Sequence, residues 1–455
     1  MNLDECRAFL DTNRDRRQVN RVLHGFPSPR LWQAGAVSTR EVLAQRKEWA
    51  RHEPADLTLY VGVPFCIRTD PDRCGYCLFP VEVFEGTRQL DTYMDSLARE
   101  GEMLREAFAG SVLRSVYIGG GTPNLMKKAQ YARMMAIIRD IFPSVDGKVP
   151  VTLEGIPQLF TREKLEQIRD SGVGRISMGV QQIDAELNRL SGRRQTRKHT
   201  FDTIAHCQEL GLACNIDLIF GWPRQTIETM MRDLADAVAS GVEHIAHYEL
   251  NIGGPTDFSL NRRNELPSPA TILEMYRQAR DFLLANGYEQ LSTYDFQRMG
   301  GVRGFVYEEC ERNFGRKEVL GWGFAGVTDL QGPAGEPGCS WVNHRKLTDY
   351  YAAVDANRPP VERGFTRSQT DLRLHALFRN LQGMRVDRVG YRARFGLDPL
   401  DEHEPVWAAI AERGWAQISD DAIVLCADGV YHTPLIQELL STPRLKELRA
   451  LAIAS

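Results

Sequence analysis

A chain of 455 residues that is 43% hydrophobic and 25% charged can bury a large core, and its length suits two or three domains. A net charge of −4 gives no electrostatic reason to expect nucleic acid. No run approaches the roughly 20 apolar residues of a membrane helix, and the charge-rich start "MNLDECRAFLDTNRDRRQVN" fits neither a secretory signal nor a transit peptide. The expectation is a soluble, cytoplasmic protein without a nucleic acid or membrane partner, whose nine cysteines stay out of disulfides.

Residues 1–56 read as an N-terminal arm, with the Pro- and aromatic-rich "HGFPSPRLW" (24–32) as a lid or as a packed segment. From 57 to 290 short β-branched or aromatic runs alternate with helical stretches. The strands are predicted at "LTLYVGVPF" (57–65), "SVYIG" (115–119), "VPVTLEG" (149–155), "RISMGV" (175–180), "ACNIDLIFG" (213–221) and "EHIAHYELNI" (243–252). Helices with apolar spacing of three or four are predicted at 90–108, 129–142, 161–172, 199–211 and 225–241, and a further one at about 270–286. Six strand–helix repeats predict an α/β fold, a partial (β/α)6 barrel with its chemistry at the C-terminal ends of the strands. Polar and glycine-rich residues gather at that edge. They are the cysteine loop, "GGGTP" (119–123), Glu154, Gln181, and Asp217 with "GWP" (221–223). A glycine-rich connecting section (291–360) follows, including "GWGFAG" (321–326). Residues 361–455 predict helices at 367–381, 404–414 and about 430–440, with two short strands around "SDD" (419–421). That is an α+β, winged-helix-like C-terminal domain. Such modules often bind DNA, but acidic and basic residues balance here, so the electrostatic footprint is missing.

"PFCIRTDPDRCGYCLFP" (64–80) places Cys66, Cys74 and Cys77 within twelve positions, with Pro71 at an expected turn. Three readings compete. A structural zinc site needs four ligands, and the loop holds neither a fourth Cys nor a His. Inert core cysteines would not normally sit among Arg68, Asp70, Asp72 and Arg73. Three thiolates suit one [4Fe–4S] cluster that keeps one iron open for an external ligand. The other six, Cys6, Cys207, Cys214, Cys310, Cys339 and Cys426, read as small buried hydrophobes.

At these residues the chain resembles the radical S-adenosylmethionine (SAM) enzymes, which carry Cys-x3-Cys-x-aromatic-Cys after the first barrel strand. Tyr76 stands at the aromatic position, and the first gap is seven residues instead of three. "LYVGVPFC", "SVYIGGGTPNLM", "VTLEGIP", "GRISMGVQQIDAELNRLSGR", "NIDLIFGWPRQT", "LTDYYAAVDANRPP" and "LCADGVYHTPLI" are similar to blocks of the oxygen-independent coproporphyrinogen III oxidase family over roughly 57–440. The resemblance implies that the open iron chelates the amino and carboxylate groups of SAM, which is cleaved to a 5′-deoxyadenosyl radical. It implies that Gly119, Gly120, Gly121 and Thr122 border the methionine amino group. Glu154, Gln181, Arg193 and Asp217 would surround SAM, with Arg193 suited to its carboxylate and Asp217 to ribose hydroxyls, and Tyr76 would lie near adenine. "HYELNIGGPT" (247–256), which ends strand six, would line the substrate side, and "GWGFAG" resembles the glycine-rich loop that borders the pocket in relatives. His24, His244 and His247 read equally well as core or as acid–base groups.

The family scaffold supports several reactions on small molecules, with one or two SAM molecules and a reductant protein such as flavodoxin or ferredoxin. The widened cysteine gap, "LFP" after Cys77 and the divergent section at 296–318 favour a radical C-methyltransferase or related biosynthetic enzyme. The oxygen-independent coproporphyrinogen III oxidase, acting by oxidative decarboxylation, is the alternative. A non-catalytic SAM- or haem-binding relative and a DNA-binding regulator are readings of other classes.

Overall fold

The computed structural model describes residues 1–18, 25–49, 52, 55–70, 73–145, 147–301, 317–333 and 336–454. His24, Pro71, Asp72 and Cys310, together with most of the divergent section at 296–318, lie outside the described residues.

The six expected strands form as β1 (Asp56–Val63), β2 (Val112–Gly120), β3 (Val151–Gly155), β4 (Arg175–Gln181), β5 (Ala213–Phe220) and β6 (His244–Glu249). They pair in parallel in chain order. Each is joined to the next by a crossover that contains a helix, as parallel pairing requires. The helices span Thr87–Phe108, Lys128–Ile141, Arg162–Asp170, Arg197–Leu210 and Ile227–Ala239. Threonines set several of their starts. The Thr196 and Thr226 hydroxyls accept from the backbone N–H of His199 and Thr229, at 3.3 and 3.2 Å.

Alternation along the strands separates two environments. Leu57, Leu59, Val61, Val116, Ile118, Leu153, Ile176, Met178, Ile216 and Leu218 are buried in the main apolar core. The alternate positions carry Tyr60, Tyr117, Glu154, Arg175, Ser177, Asn215, Asp217 and His244. A period of two therefore gives an apolar outer face under the helices and a polar inner face.

The sheet continues past both ends of this run. Its order is β12 (Val361–Thr366), β11 (Cys339–Asn343), β10 (Val327–Leu330), β9 (Lys317–Gly323), β1 to β6, β8 (Asp295–Arg298) and β7 (Tyr288–Gln290), twelve strands in an open sheet. "GWGFAG" was expected as a loop bordering the pocket. Its first three residues instead end β9, which lies parallel to β1 with Gly62 opposite Gly323. The reason is close backbone contact. A Cβ at Gly321 would lie 2.2 Å from Val327 N, so glycine is needed to fold β10 back on β9.

The arm is packed rather than free. Phe26 is buried, its ring 5.5 Å from that of Phe378. Trp32 Nε1 donates to the Pro27 carbonyl at 3.1 Å, and Gln33 bridges to Gly364 in β12. The C-terminal section contains helices Gln369–Gln382, Arg388–Phe395, Glu404–Ala411 and Thr433–Ala454. With them is an antiparallel sheet of β13 (Arg385–Asp387), β14 (Ala416–Ile418) and β15 (Ala422–Leu425). β13 was not expected from the sequence, because three residues beside a glycine carry too little pattern. Among the described residues no helix is long and apolar enough to cross a membrane.

Candidate active site at the C-terminal edge of the barrel

The cysteine loop leaves β1 as an extended segment. Phe65–Cys66 pairs in parallel with Glu82–Val83, and the Phe84 N–H donates to the Cys66 carbonyl at 2.8 Å. Cys74 to Cys77 form a tight turn closed by Cys77 N–H to Cys74 O at 2.8 Å. Gly75 is held on both sides. Its N–H donates to Ser191 O at 3.1 Å and its carbonyl accepts from Phe258 N–H at 2.8 Å. A Cβ there would lie 2.9 Å from the Phe258 ring.

Within the widened loop, Asp70 packs against the turn that follows strand four. Asp70 rests on Gly192, where a Cβ would lie 2.6 Å from the Asp70 carbonyl oxygen. Gly192 has φ +80°, a value that suits glycine.

All three cysteines are free and partly exposed. The Thr122 hydroxyl donates to Cys66 Sγ at 3.3 Å. Arg193 Nη1 lies 3.7 Å from Cys74 Sγ, and the Phe79 N–H serves Cys77. Burial pushes the Cys66 thiol up to about 11 and raises that of Cys77, and both feel the neighbouring Cys74 thiol. Among the described residues no three His, Cys, Asp or Glu side chains could hold a single metal ion. Cys66, Cys74 and Cys77 are near enough for their charges to act on one another. That fits a polynuclear cluster with one open iron.

The glycines at the end of β2 and just after it serve close approach. Gly121 N–H donates to Val63 O and Thr122 N–H to Phe65 O, each at 2.7 Å. A Cβ at Gly121 would lie 2.4 Å from the Phe65 carbonyl oxygen, and one at Gly119 would lie 2.7 Å from Glu154 Oε2. Gly120 has φ +107°.

Glu154 accepts from the Gly120 N–H at 3.0 Å and from the Tyr117 hydroxyl at 2.8 Å. Burial pushes its carboxyl up to about 7, opposed by the Tyr117 bond. Burial likewise pushes Asp217 up to about 6, opposed by the Asn215 amide, which donates at 2.7 Å, and by Arg175. Two carboxyls that ionise reluctantly therefore face the inner space with Arg175 between their strands.

Arg193 is 8% exposed. Its Nε donates to Gln195 Oε1 at 2.9 Å, its Nη2 to the Gly179 carbonyl, and its Nη1 lies 3.5 Å from the Tyr76 hydroxyl. Gln181 sits beside it at a register shift in β4, with φ +67°. Such a backbone is unusual for a residue with a side chain and is characteristic of functional sites. Tyr76 packs on Trp222 and Phe258, at ring separations of 5.0 and 6.2 Å.

Thr122 contacts Cys66, while Cys74, Cys77, Tyr76 and Arg193 are joined by direct contacts, and the charges of Cys74, Cys77 and Arg193 reach Cys66. Gly119 to Gly121 and Glu154 are joined to one another next to them, and Asp217 and Gln181 line adjacent strands. His244 and His247 are packed inside the barrel. Arg175 lies 2.7 Å from His244 Nδ1. His247 is buried 4.8 Å from the Phe220 ring and held neutral, its imidazole pushed down to about 3 by burial. Sequence reasoning missed Tyr117, Asn215, Gln195 and Phe258, and it named Trp222 only as part of the "GWP" turn. For Tyr117 and Asn215 the signal was present, since both share the inner parity of Glu154 and Asp217.

The chain matches the Radical SAM superfamily over residues 63–237. It is 28% identical over 396 residues to the oxygen-independent coproporphyrinogen III oxidase of Escherichia coli (strain K12), covering 84% of each chain. It is 30% identical over 270 residues to the heme chaperone HemW of Lactococcus lactis, covering 58% of this chain and 67% of that protein. The solved coproporphyrinogen III oxidase (HemN) of Escherichia coli superposes with a TM-score of 0.79 at 25% identity, over 94% of this chain and 100% of that one. With the thiol triad, the glycine turn and the open parallel barrel, these likenesses place the chain in the radical SAM superfamily, in the family that holds the oxygen-independent coproporphyrinogen III oxidases and the HemW heme chaperones.

Proposed function

We propose that the chain is an oxygen-independent oxidase of the coproporphyrinogen III type, which removes propionate carboxyl groups from a reduced tetrapyrrole. Full-length likeness carries this reading. The oxidase match covers 84% of this chain and the solved oxidase 94%, whereas HemW matches cover 56%, 58% and 68%. The sequence put a radical C-methyltransferase first, on the widened cysteine gap, "LFP" after Cys77 and the divergent section at 296–318. That gap is accommodated on Gly192 without displacing the thiols from Thr122 and Arg193, so it gives no reason to depart from oxidase chemistry.

The superfamily implies a [4Fe–4S] cluster and SAM, with a small-molecule substrate and a reductant; when bound, the pair supplies a carbon radical able to take a hydrogen atom. Cys66, Cys74 and Cys77 would hold three irons. Gly119 to Gly121 bring the chain backbone within reach of an ammonium, and Glu154 offers it a carboxylate fixed by two donors. Arg193 would turn its fork toward the SAM carboxylate. Asp217 and Gln181 would serve the nucleoside, with Tyr76 at its base. These residues account for a single SAM. Trp222, Phe258 and Leu250 form the apolar floor below Tyr76 and keep water from the cysteine turn. A flavodoxin or ferredoxin would supply the electron.

The test is anaerobic loading with iron and sulfide, then dithionite, SAM and coproporphyrinogen III. The expected result is release of 5′-deoxyadenosine with matched loss of carboxyl groups as carbon dioxide. SAM cleavage with the tetrapyrrole untouched would remove the substrate assignment. Haem binding without SAM cleavage would make the chain a chaperone-like relative.

A further inference from the structure

Tyr93 and Glu100 stand about two turns apart on helix Thr87–Phe108, the helix that follows the cysteine loop, so they share one face. Both are buried, and neither belongs to the site described above. That face meets the ends of β1 and β9, where Gly62 and Gly323 lie opposite one another.

The pair binds the last backbone groups of those strands. Glu100 Oε2 accepts the Gly323 N–H at 3.0 Å and the Tyr350 hydroxyl at 2.7 Å, and its Oε1 accepts the Asn343 amide at 2.8 Å. Asn343 also donates to the Gly323 carbonyl at 2.9 Å. A buried carboxyl is costly unless it is fully hydrogen-bonded. Among the described residues no cation pairs with Glu100, and three neutral donors offset that cost. They come from β9, β11 and helix Leu347–Asp355. Tyr93 takes the next group along. Its hydroxyl accepts the Phe324 N–H at 2.9 Å, and its own proton goes to the Gly62 carbonyl. Gly323 has φ +92°, and a Cβ there would lie 2.3 Å from the Tyr93 hydroxyl, so the glycine leaves room for it.

From Gly62 the chain runs through Val63, Pro64 and Phe65 to Cys66. The Tyr93 ring stands edge-on to the Phe65 ring, 6.1 Å between centroids at 85°. One side chain therefore grips this stem at Gly62 and at Phe65, and the strand end that Glu100 fixes aims its hydroxyl. The three cysteines differ in their need for such a grip. Cys74 and Cys77 share one closed turn and place each other. Cys66 lies outside that turn, across the widened gap, and its place depends on the stem.

We infer that Tyr93 and Glu100 are positioning residues for Cys66, fixing the strand end from which its thiol enters the cluster site. They also join that end to Gly323 and Phe324 of the GWGFAG segment, which gives this segment a part in the site. The purpose assigned to them rests on the reading of Cys66 as a cluster ligand.

The test uses the full chain free of cluster. Iodoacetamide alkylation of Cys66, Cys74 and Cys77 is followed in one sample by peptide mass spectrometry. Tyr93→Phe keeps the ring and removes the hydroxyl. Alkylation of Cys66 rises about fivefold, the factor worth one net hydrogen bond, while Cys74 and Cys77 keep their wild-type rates and the circular dichroism spectrum is unchanged. Glu100→Gln sets an amide donor against one of the present donors and gives the same selective rise. If either variant does not fold, Tyr350→Phe, which removes one donor to Glu100, decides by the same pattern. Equal Cys66 rates in wild type and variant, or a parallel rise at all three thiols, overturns the positioning role. After anaerobic loading Tyr93→Phe retains less iron than the wild type, and equal retention overturns the link to the cluster. A wild type that takes up no iron overturns the cluster reading itself, which the alkylation rates do not use.

Discussion

Replacing Glu154 by glutamine separates two consequences of burying a carboxyl at the SAM site. Burial moves the carboxyl from its ordinary 4.5 to about 7. A group that holds its proton more tightly when folded contributes stability that is full below about 4.5 and lost as pH rises through 7. The shift is worth about 3 kcal/mol. Glutamine cannot ionise, so the variant lacks this pH term. It also loses one good acceptor, for either Gly120 N–H or Tyr117 Oη, at about 1–3 kcal/mol. Glu154→Gln is therefore less stable than the wild type at pH 5 and as stable or more stable at pH 8. Urea unfolding of the cluster-free protein at the two pH values measures this. Calorimetric SAM titration of the loaded protein should show affinity down about tenfold, or 1.4 kcal/mol. An equal stability difference at both pH values refutes the burial reasoning, and an unchanged SAM affinity removes Glu154 from the ammonium seat.

Cys66→Ala should fold, by circular dichroism, yet lose bound iron and the broad absorbance near roughly 400 nm expected of the cluster. Arg193→Lys keeps the charge but not the fork to Gly179, Gln195 and Cys74, so SAM affinity should fall about tenfold or more while iron content stays near wild type. Gly121→Ala drives a methyl into the Phe65 carbonyl beside Cys66, so iron loading should fail at a melting temperature within a few degrees of wild type; full loading would show that the turn is not tight. Trp222→Ala empties the floor beneath Tyr76 and should cost about 3–5 kcal/mol of stability in chemical denaturation.

Much of the site was readable because its signals are local. Cys74-Gly-Tyr-Cys77 is a turn that closes on itself, and the triple glycine directly follows the strand that presents it. Glu154 and Asp217 were found as polar residues near strand ends, and the structure places both at inner positions of strands whose alternate residues are apolar. The same period held Tyr117 and Asn215, which the motif-led reading passed over. The GWGFAG segment was misjudged because its glycines admit a neighbouring strand, a purpose that composition does not distinguish from loop flexibility.

The amino-acid sequence by itself determined the alternation of strands and helices, the face each strand turns inward and the three thiols without a fourth, since each depends on spacing along a few residues. Only the tertiary structure decided that Arg193 reaches Cys74, that Trp222 and Phe258 support Tyr76, and that β9 joins the parallel run. Those contacts join residues far apart in the chain, and strand register and helix packing, which no short pattern encodes, bring them together.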